Sequence, residues 1–202
     1  EDEINPVIAR LQAGGVTESA LHNHLLRESP RVMYLHIASH GDAVKMARAI
    51  HDALALTKTP AASGQPVAQA SFDLDQKAIE QMLGRSGKVN GGILQFSIPR
   101  SEKITDEGME IPASLGVATG INFQPAGNGR AAITGDFVLI ANEVNPVIQA
   151  LRDNGIQVTA LHSHMLTEQP RLFFMHFWAV DDPAKLAHGL RAALDHMNNA
   201  KP

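Results

Sequence analysis

Apolar residues recur at two spacings along the chain, and the change of spacing outlines its elements. Residues 144–155 carry apolar side chains three to four positions apart, as on one face of a helix, with Asn145 as the expected N-cap. The stretches 156–166 and 172–180 are rich in residues that favour strands and flank a turn-like segment. Residues 181–197 regain the helical spacing. The pattern therefore predicts helix, hairpin, helix.

The segment from Phe72 to Asn142 shows a different pattern. Gln76–Leu83 predicts a short helix. Glycine, proline and charged turns separate three stretches that predict strands, namely 88–98, 114–123 and 131–140. The whole chain is therefore expected to be an α+β protein, with antiparallel sheet packed against helices.

Two parts of the chain repeat each other. Ile4–Leu54 and Val144–Leu194 align without a gap at a constant offset of 140 residues. The two segments are identical at 20 of 51 positions, whereas composition alone predicts roughly three. We infer a tandem duplication, in which each unit is an antiparallel sheet with a histidine-bearing β-hairpin flanked by helices.

The position of the repeats predicts the domain boundaries. Residues 1–56 form repeat 1, and residues 71–202 form repeat 2 as a complete unit. The second copy is preceded by a long segment that the first copy lacks, so we expect repeat 1 to be the C-terminal part of a truncated unit. Residues 57–70, rich in proline, alanine, serine and glycine, are the expected linker.

Three histidines occur at matching positions in both copies. Residues two apart in a strand point to the same face, so His162 and His164 are expected to project together. His176 is as far from Gln169 as His162 is, and a hairpin symmetric about that residue places these two side chains opposite each other. The six predicted metal ligands are His22, His24, His36, His162, His164 and His176.

Three imidazoles with an open fourth position form a catalytic zinc arrangement, and zinc is the expected metal. Imidazole also suits copper, nickel and iron. The chain has no cysteine, which excludes thiolate ligands and disulfides. Glu168 and Glu143, with their counterparts Glu28 and Glu3, are candidates for a general base on a metal-bound water. A site of this kind would hydrolyse a small ester, amide or phosphate.

Other uses of the histidines stay open. Histidines on apolar strands also serve as hydrogen-bonded core residues, in which case the protein is a non-catalytic ligand-binding or scaffold module. His40, His51 and His188 have no histidine counterpart in the other copy and fit surface positions. Arg171 is expected to pair with Glu168 near the turn.

Composition narrows the class of partner. The hydrophobic fraction is 44%, the charged fraction 19% and the formal net charge −4, with no basic block. Nucleic acid is therefore not an expected partner. No apolar run reaches the length of roughly 20 residues that a transmembrane helix needs. A small molecule or peptide of unspecified chemistry is the remaining class of ligand.

Several motifs occur together and in order: GDFVL, NEVNPV, TALHSHML, a Glu-x-Pro-Arg turn and MHFW in the second copy, and EINPV with ALHNHLLRESPRVMYLHI in the first. With GKVNGGILQFSIPR between them, they resemble the LppY/LpqO family of bacterial exported proteins over nearly the whole chain. The resemblance implies a periplasmic or secreted protein, often a lipoprotein. The chain begins at Glu1 without a leader, as expected if a leader was removed or the chain is a fragment. The family's biochemical role is not established, and it implies no catalytic residues.

Overall fold

The computed structural model describes residues 1–58 and 70–201, so residues 59–69 of the predicted linker lie outside the described residues. The chain divides into two units. The first comprises Glu1–Val67 and the short segment His164–Leu166, and the second comprises Ala68–Ser163 and Thr167–Pro202.

The first unit contains two helices and two strands. In chain order these are α1 (Ile4–Ala13), β1 (Thr17–His22), β2 (Tyr34–Ala38) and α2 (Ala43–Leu54). The strands pair antiparallel. Asp42 caps α2 by accepting hydrogen bonds from the backbone N–H groups of Val44 and Lys45. Leu11, Val16, Ala49 and Ala53 form the small core of this unit.

The second unit is built on a six-stranded sheet. Its elements are α3 (Gln76–Leu83), β3 (Lys88–Asn90), β4 (Ile93–Pro99), β5 (Thr105–Asp106), β6 (Met109–Glu110), a 3-10 turn (Ala113–Leu115), β7 (Ala118–Pro125), β8 (Ala131–Leu139), α4 (Ala141–Asp153), β9 (Gln157–His162), β10 (Phe173–Asp181) and α5 (Pro183–Leu194). The strand order is β3-β4-β7-β8-β10-β9, with every neighbouring pair antiparallel. The described residues thus hold five α-helices together with β-sheets, and the α+β class is confirmed. None of these helices combines the length and the apolarity that a membrane span requires.

The period of two along the strands divides the side chains of this sheet between two faces. Phe96, Ile121, Phe137 and Phe177 lie on the first face and join the core formed with α3, α4 and α5. Positions one residue away alternate to the other face, and His176 is one of them. The sheet therefore presents the histidine on the side away from the helices.

The start of α4 differs from the sequence prediction. The helix begins at Ala141 rather than after Asn145, so Pro146 lies inside it. The Glu143 Oε2 atom accepts a hydrogen bond from the Ile140 backbone N–H at 2.9 Å. This carboxylate satisfies an N–H group at the helix start, and it makes the earlier start possible.

The register of β9 and β10 also differs from the prediction. His162 pairs with Phe174, and His176 pairs with Ala160. The predicted pairing of His162 with His176 is therefore wrong by two residues. The reason is that the segment joining the two strands is not symmetric about Gln169. An even displacement keeps both histidines on the same face, and their ring centroids are 5.0 Å apart.

Strands β7 and β8 approach closely at Gly135, and this residue gives a test of the sheet. A Cβ added at Gly135 would lie 1.9 Å from the Gly120 carbonyl oxygen. We expect Gly135→Ala to lower the free energy of unfolding by about 1–3 kcal/mol, because the backbones must move apart. Urea denaturation measures this loss. Gly120→Ala is the matched control, since its Cβ meets a side-chain oxygen of Asp136 at 3.1 Å, and an equal loss in both variants would contradict the prediction.

Candidate metal centre

The six predicted ligands lie on or beside four strands. His22 ends β1, and His36 lies within β2. His162 ends β9, and His176 lies within β10. His24 and His164 each follow by two residues the histidine that ends a strand.

Four of the six histidines form one group. Each of His22, His162, His164 and His176 offers a ring nitrogen, and these nitrogens lie within 4.8 Å of one another. Four imidazoles at such separations can hold one metal ion. The group contains all three histidines predicted from the second copy, and imidazole nitrogens by themselves do not select the metal.

His176 is oriented by the neighbouring strand. Its Nδ1 atom lies 3.1 Å from the Gly135 carbonyl oxygen, which can only accept a hydrogen bond. An Nδ1–H donated to this oxygen leaves Nε2 as the ring atom with a lone pair for a metal. His176 is 2% exposed and His164 is 8% exposed. Burial and a fixed tautomer both suit a ligating histidine.

His24 and His36 are not members of the four-histidine group. The His24 ring stacks on Tyr34 with a centroid distance of 3.5 Å. The His36 ring lies 3.7 Å from that of His164 and 4.9 Å from that of His22. Burial lowers the pKa of His36 to about 4, with repulsion from His22 acting in the same direction. His36 is consequently neutral at pH 7.

Glu168, a predicted base, is fully buried beside the turn. Its Oε1 atom accepts a hydrogen bond from the Leu172 backbone N–H at 2.9 Å, and its Oε2 atom lies 3.2 Å from Arg171 Nη1. The expected ion pair with Arg171 is therefore confirmed. A role of Glu168 as general base stays a prediction. In the first unit, Arg31 lies 3.8 Å from Glu1 instead.

Glu143, the other predicted base, is held by a buried guanidinium that the sequence did not point to. Its two oxygens accept hydrogen bonds from Arg100 Nη1 at 2.6 Å and Nη2 at 2.9 Å. The backbone N–H groups of Ile140 and Asn198 donate to the same carboxylate. Burial raises the pKa of Glu143, but these hydrogen bonds outweigh it and the net pKa is lowered. The contacts give Glu143 a part in holding the fold, and its role as a base stays a prediction.

Asp136 is a carboxylate opposite His176 that the sequence analysis did not single out. It lies inside β8, directly opposite His176 in the antiparallel pair, so both side chains share one face of the sheet. Burial raises the pKa of Asp136 to about 6, although a hydrogen bond from the Gly120 backbone acts in the other direction. The alternation of Ile133 and Phe137 with polar residues is the sequence signal that places Asp136 on this face.

A known family model matches most of the chain. The family model described as "Domain of Unknown Function (DUF1259)" covers residues 1–56 and 77–196. No curated protein and no solved structure matches the chain. The function must therefore be argued from the site itself.

Proposed function

Since the chain belongs to the family described as a Domain of Unknown Function (DUF1259), we propose its function from the histidine group: it is a transition-metal-binding protein. The observation that carries the proposal is the approach of four ring nitrogens, from His22, His162, His164 and His176, to within 4.8 Å of one another. Imidazole is a usual ligand of transition metals, and one metal ion can bind a nitrogen of each of the four rings at once.

Zinc is the metal we propose. It has no geometric preference arising from d electrons and is bound by four ligands in a tetrahedral arrangement at closed sites. Neutral imidazole is one of its usual ligands, and the Nδ1 contact of His176 with the Gly135 carbonyl supports the required tautomer. Copper and nickel also accept imidazole, so the choice among the three metals is for experiment.

The number of histidines favours binding over hydrolysis. Catalytic zinc sites use three protein ligands and keep the fourth position for water, whereas four protein ligands close the shell. The carboxylate of Glu168 already bonds to Leu172 and Arg171. Hydrolysis would require a water molecule to replace one of the four histidines on the metal. The coordination number of the bound metal distinguishes the two functions.

The cellular compartment of the protein and its origin by tandem duplication are part of the proposal. The identities shared by residues 4–54 and 144–194 support a tandem duplication. The motifs that resemble the LppY/LpqO family support export to the periplasm or the medium. Neither changes the chemistry of the four histidines, and both stay predictions.

We expect one zinc ion per chain after purification without a nickel column, loading with zinc and dialysis. Mass spectrometry of the metal content measures the stoichiometry, and calorimetric titration of the metal-free chain measures the affinity. Substitution of the zinc by cobalt reports the coordination number through its visible absorption. A four-coordinate spectrum that added anions do not change agrees with a closed shell.

Other stoichiometries would contradict the proposal in distinct ways. A chain that binds no zinc, copper or nickel would favour the scaffold reading, in which the histidines are core residues. Two ions per chain would favour a separate three-histidine site in each copy. A five-coordinate cobalt spectrum that responds to anions would favour an open site and therefore hydrolysis.

A further inference from the structure

Strands β2 and β10 occupy matching positions at the offset of 140 residues, but they differ in their partners. β10 pairs with β9 along one edge and with β8 along the other. Within the described residues, β2 pairs with β1 alone. The second edge of β2 therefore presents backbone N–H and C=O groups that a further strand can bind.

Apolar side chains near this edge are exposed where their counterparts are buried. The exposed fractions are 44% for Val32 against 0% for Leu172, 37% for Ile37 against 0% for Phe177, and 52% for Leu54 against 1% for Leu194. Both members of each pair are apolar. The exposed fractions therefore differ because the residues of the second unit are covered by neighbouring elements and those of the first unit are not. An exposed apolar patch beside an open strand edge is typical of a binding surface.

A groove in the first unit joins these positions. Its cavity volume is about 430 Å³, and its walls include Val7, Leu11, Val32, Leu35, Ile50 and Leu54. The groove thus runs between the two helices of the unit and β2. We call this surface, the groove together with the second edge of β2, the β2 groove.

The second unit shows what covers the same edge of β10. Strand β8 places Leu139 opposite Phe173, Phe137 opposite Met175 and Gly135 opposite Phe177. Phe137 and Leu139 are fully buried, and the rings of Phe137 and Phe177 are 5.2 Å apart. The covering strand therefore has large apolar residues two positions apart and a small residue two positions earlier.

We propose that the β2 groove binds an extended strand of a partner polypeptide with this pattern. Large side chains of the partner lie opposite Met33 and Leu35, and a small one lies opposite Ile37. Backbone hydrogen bonds to β2 supply affinity and the alternate side chains supply specificity, as in strand addition to a sheet edge. This inference does not depend on the metal.

The test uses a fluorescent peptide with the sequence AAITGDFVL, that of residues 131–139. We expect saturable binding to the whole chain by fluorescence anisotropy, with one peptide per chain and slower hydrogen exchange in β2. Ile37→Asp should weaken binding tenfold or more, and so should aspartate at the peptide position of Phe137. Leu115→Asp is the matched control, since Leu115 is 69% exposed on the second unit, and it should leave binding unchanged.

Four outcomes would overturn the proposal. The first is no binding up to the solubility limit of the peptide, with the chain shown to be folded by its melting curve. The second is binding that Ile37→Asp does not weaken. The third is protection of β10 rather than β2, which would indicate exchange with the protein's own β8. The fourth is a dimer of the chain that Ile37→Asp dissociates, which would make a second copy the occupant.

Discussion

His164→Ala is expected to weaken zinc binding at least about a hundredfold, since even the outer partners of a ligating histidine contribute 10–100-fold. His164 is one of the four histidines whose ring nitrogens lie within 4.8 Å of one another, and it is 8% exposed. It follows the end of β9 rather than lying inside a strand, so its loss should disturb the sheet less than the loss of His176. Calorimetric titration of the metal-free variant with zinc gives the affinity.

Two histidine controls make the His164 result specific. His188→Ala removes an exposed histidine of α5 and should bind zinc as the wild type does. His24→Ala tests the grouping itself, because His24 stacks on Tyr34 and is not one of the four. If His24→Ala lowers the affinity as much as His164→Ala does, the four-histidine site is wrong and a separate site in the first copy is favoured.

Glu143→Gln is expected to lower the free energy of unfolding by about 3 kcal/mol, the cost of breaking a buried ion pair by removing one partner. Both carboxylate oxygens of Glu143 accept hydrogen bonds from Arg100 and from backbone N–H groups. In glutamine one of the two oxygens is replaced by an NH2 group, which donates hydrogen bonds. This group would face an Arg100 N–H and a backbone N–H, which are also donors. The side chain of Arg100 is 1% exposed. Its guanidinium charge would therefore lose the Glu143 carboxylate without being hydrated in its place. Urea denaturation measures the change.

The same loss should appear in the wild type as the pH falls. The pKa of Glu143 is lowered in the folded state, so its contribution is present above the ordinary glutamate value of 4.5 and is lost at lower pH. At pH values below the lowered pKa of Glu143, the free energies of unfolding of the wild type and of Glu143→Gln should converge. Glu110→Gln is the matched control, because Glu110 pairs with Lys103 on the surface, with both side chains more than half exposed, and should cost at most about 1 kcal/mol. Equal losses for both variants at neutral pH would show that the buried pair has no special role.

Local patterns of residue type along the chain were sufficient to predict most of the helices and strands. The helix over Gln76–Leu83 has the predicted bounds, because an aspartate cap and Gly84 in the left-handed conformation mark its ends within the sequence itself. The α+β class followed from the same kind of signal. The start of α4 was missed because it depends on Glu143, and the position of this carboxylate is fixed by Arg100, 43 residues earlier in the chain.

The candidate site was predictable only in part. The two-residue period put His162 and His176 on one face, and this parity survived a register that was wrong by two residues. The period also places Asp136 on this face, although the sequence analysis did not single out this residue. The choice of four histidines out of six was not in the sequence, because the two copies carry identical sets.

The amino-acid sequence by itself determined the kinds of elements, the repeated histidines and the absence of thiolate ligands, because each of these depends on residue type and short-range spacing. The tertiary structure decided which ring nitrogens come together, that Glu143 bonds to Arg100, and that β2 has an open edge where β10 has β8. These are contacts between residues far apart in the chain, and packing, not local spacing, determines them.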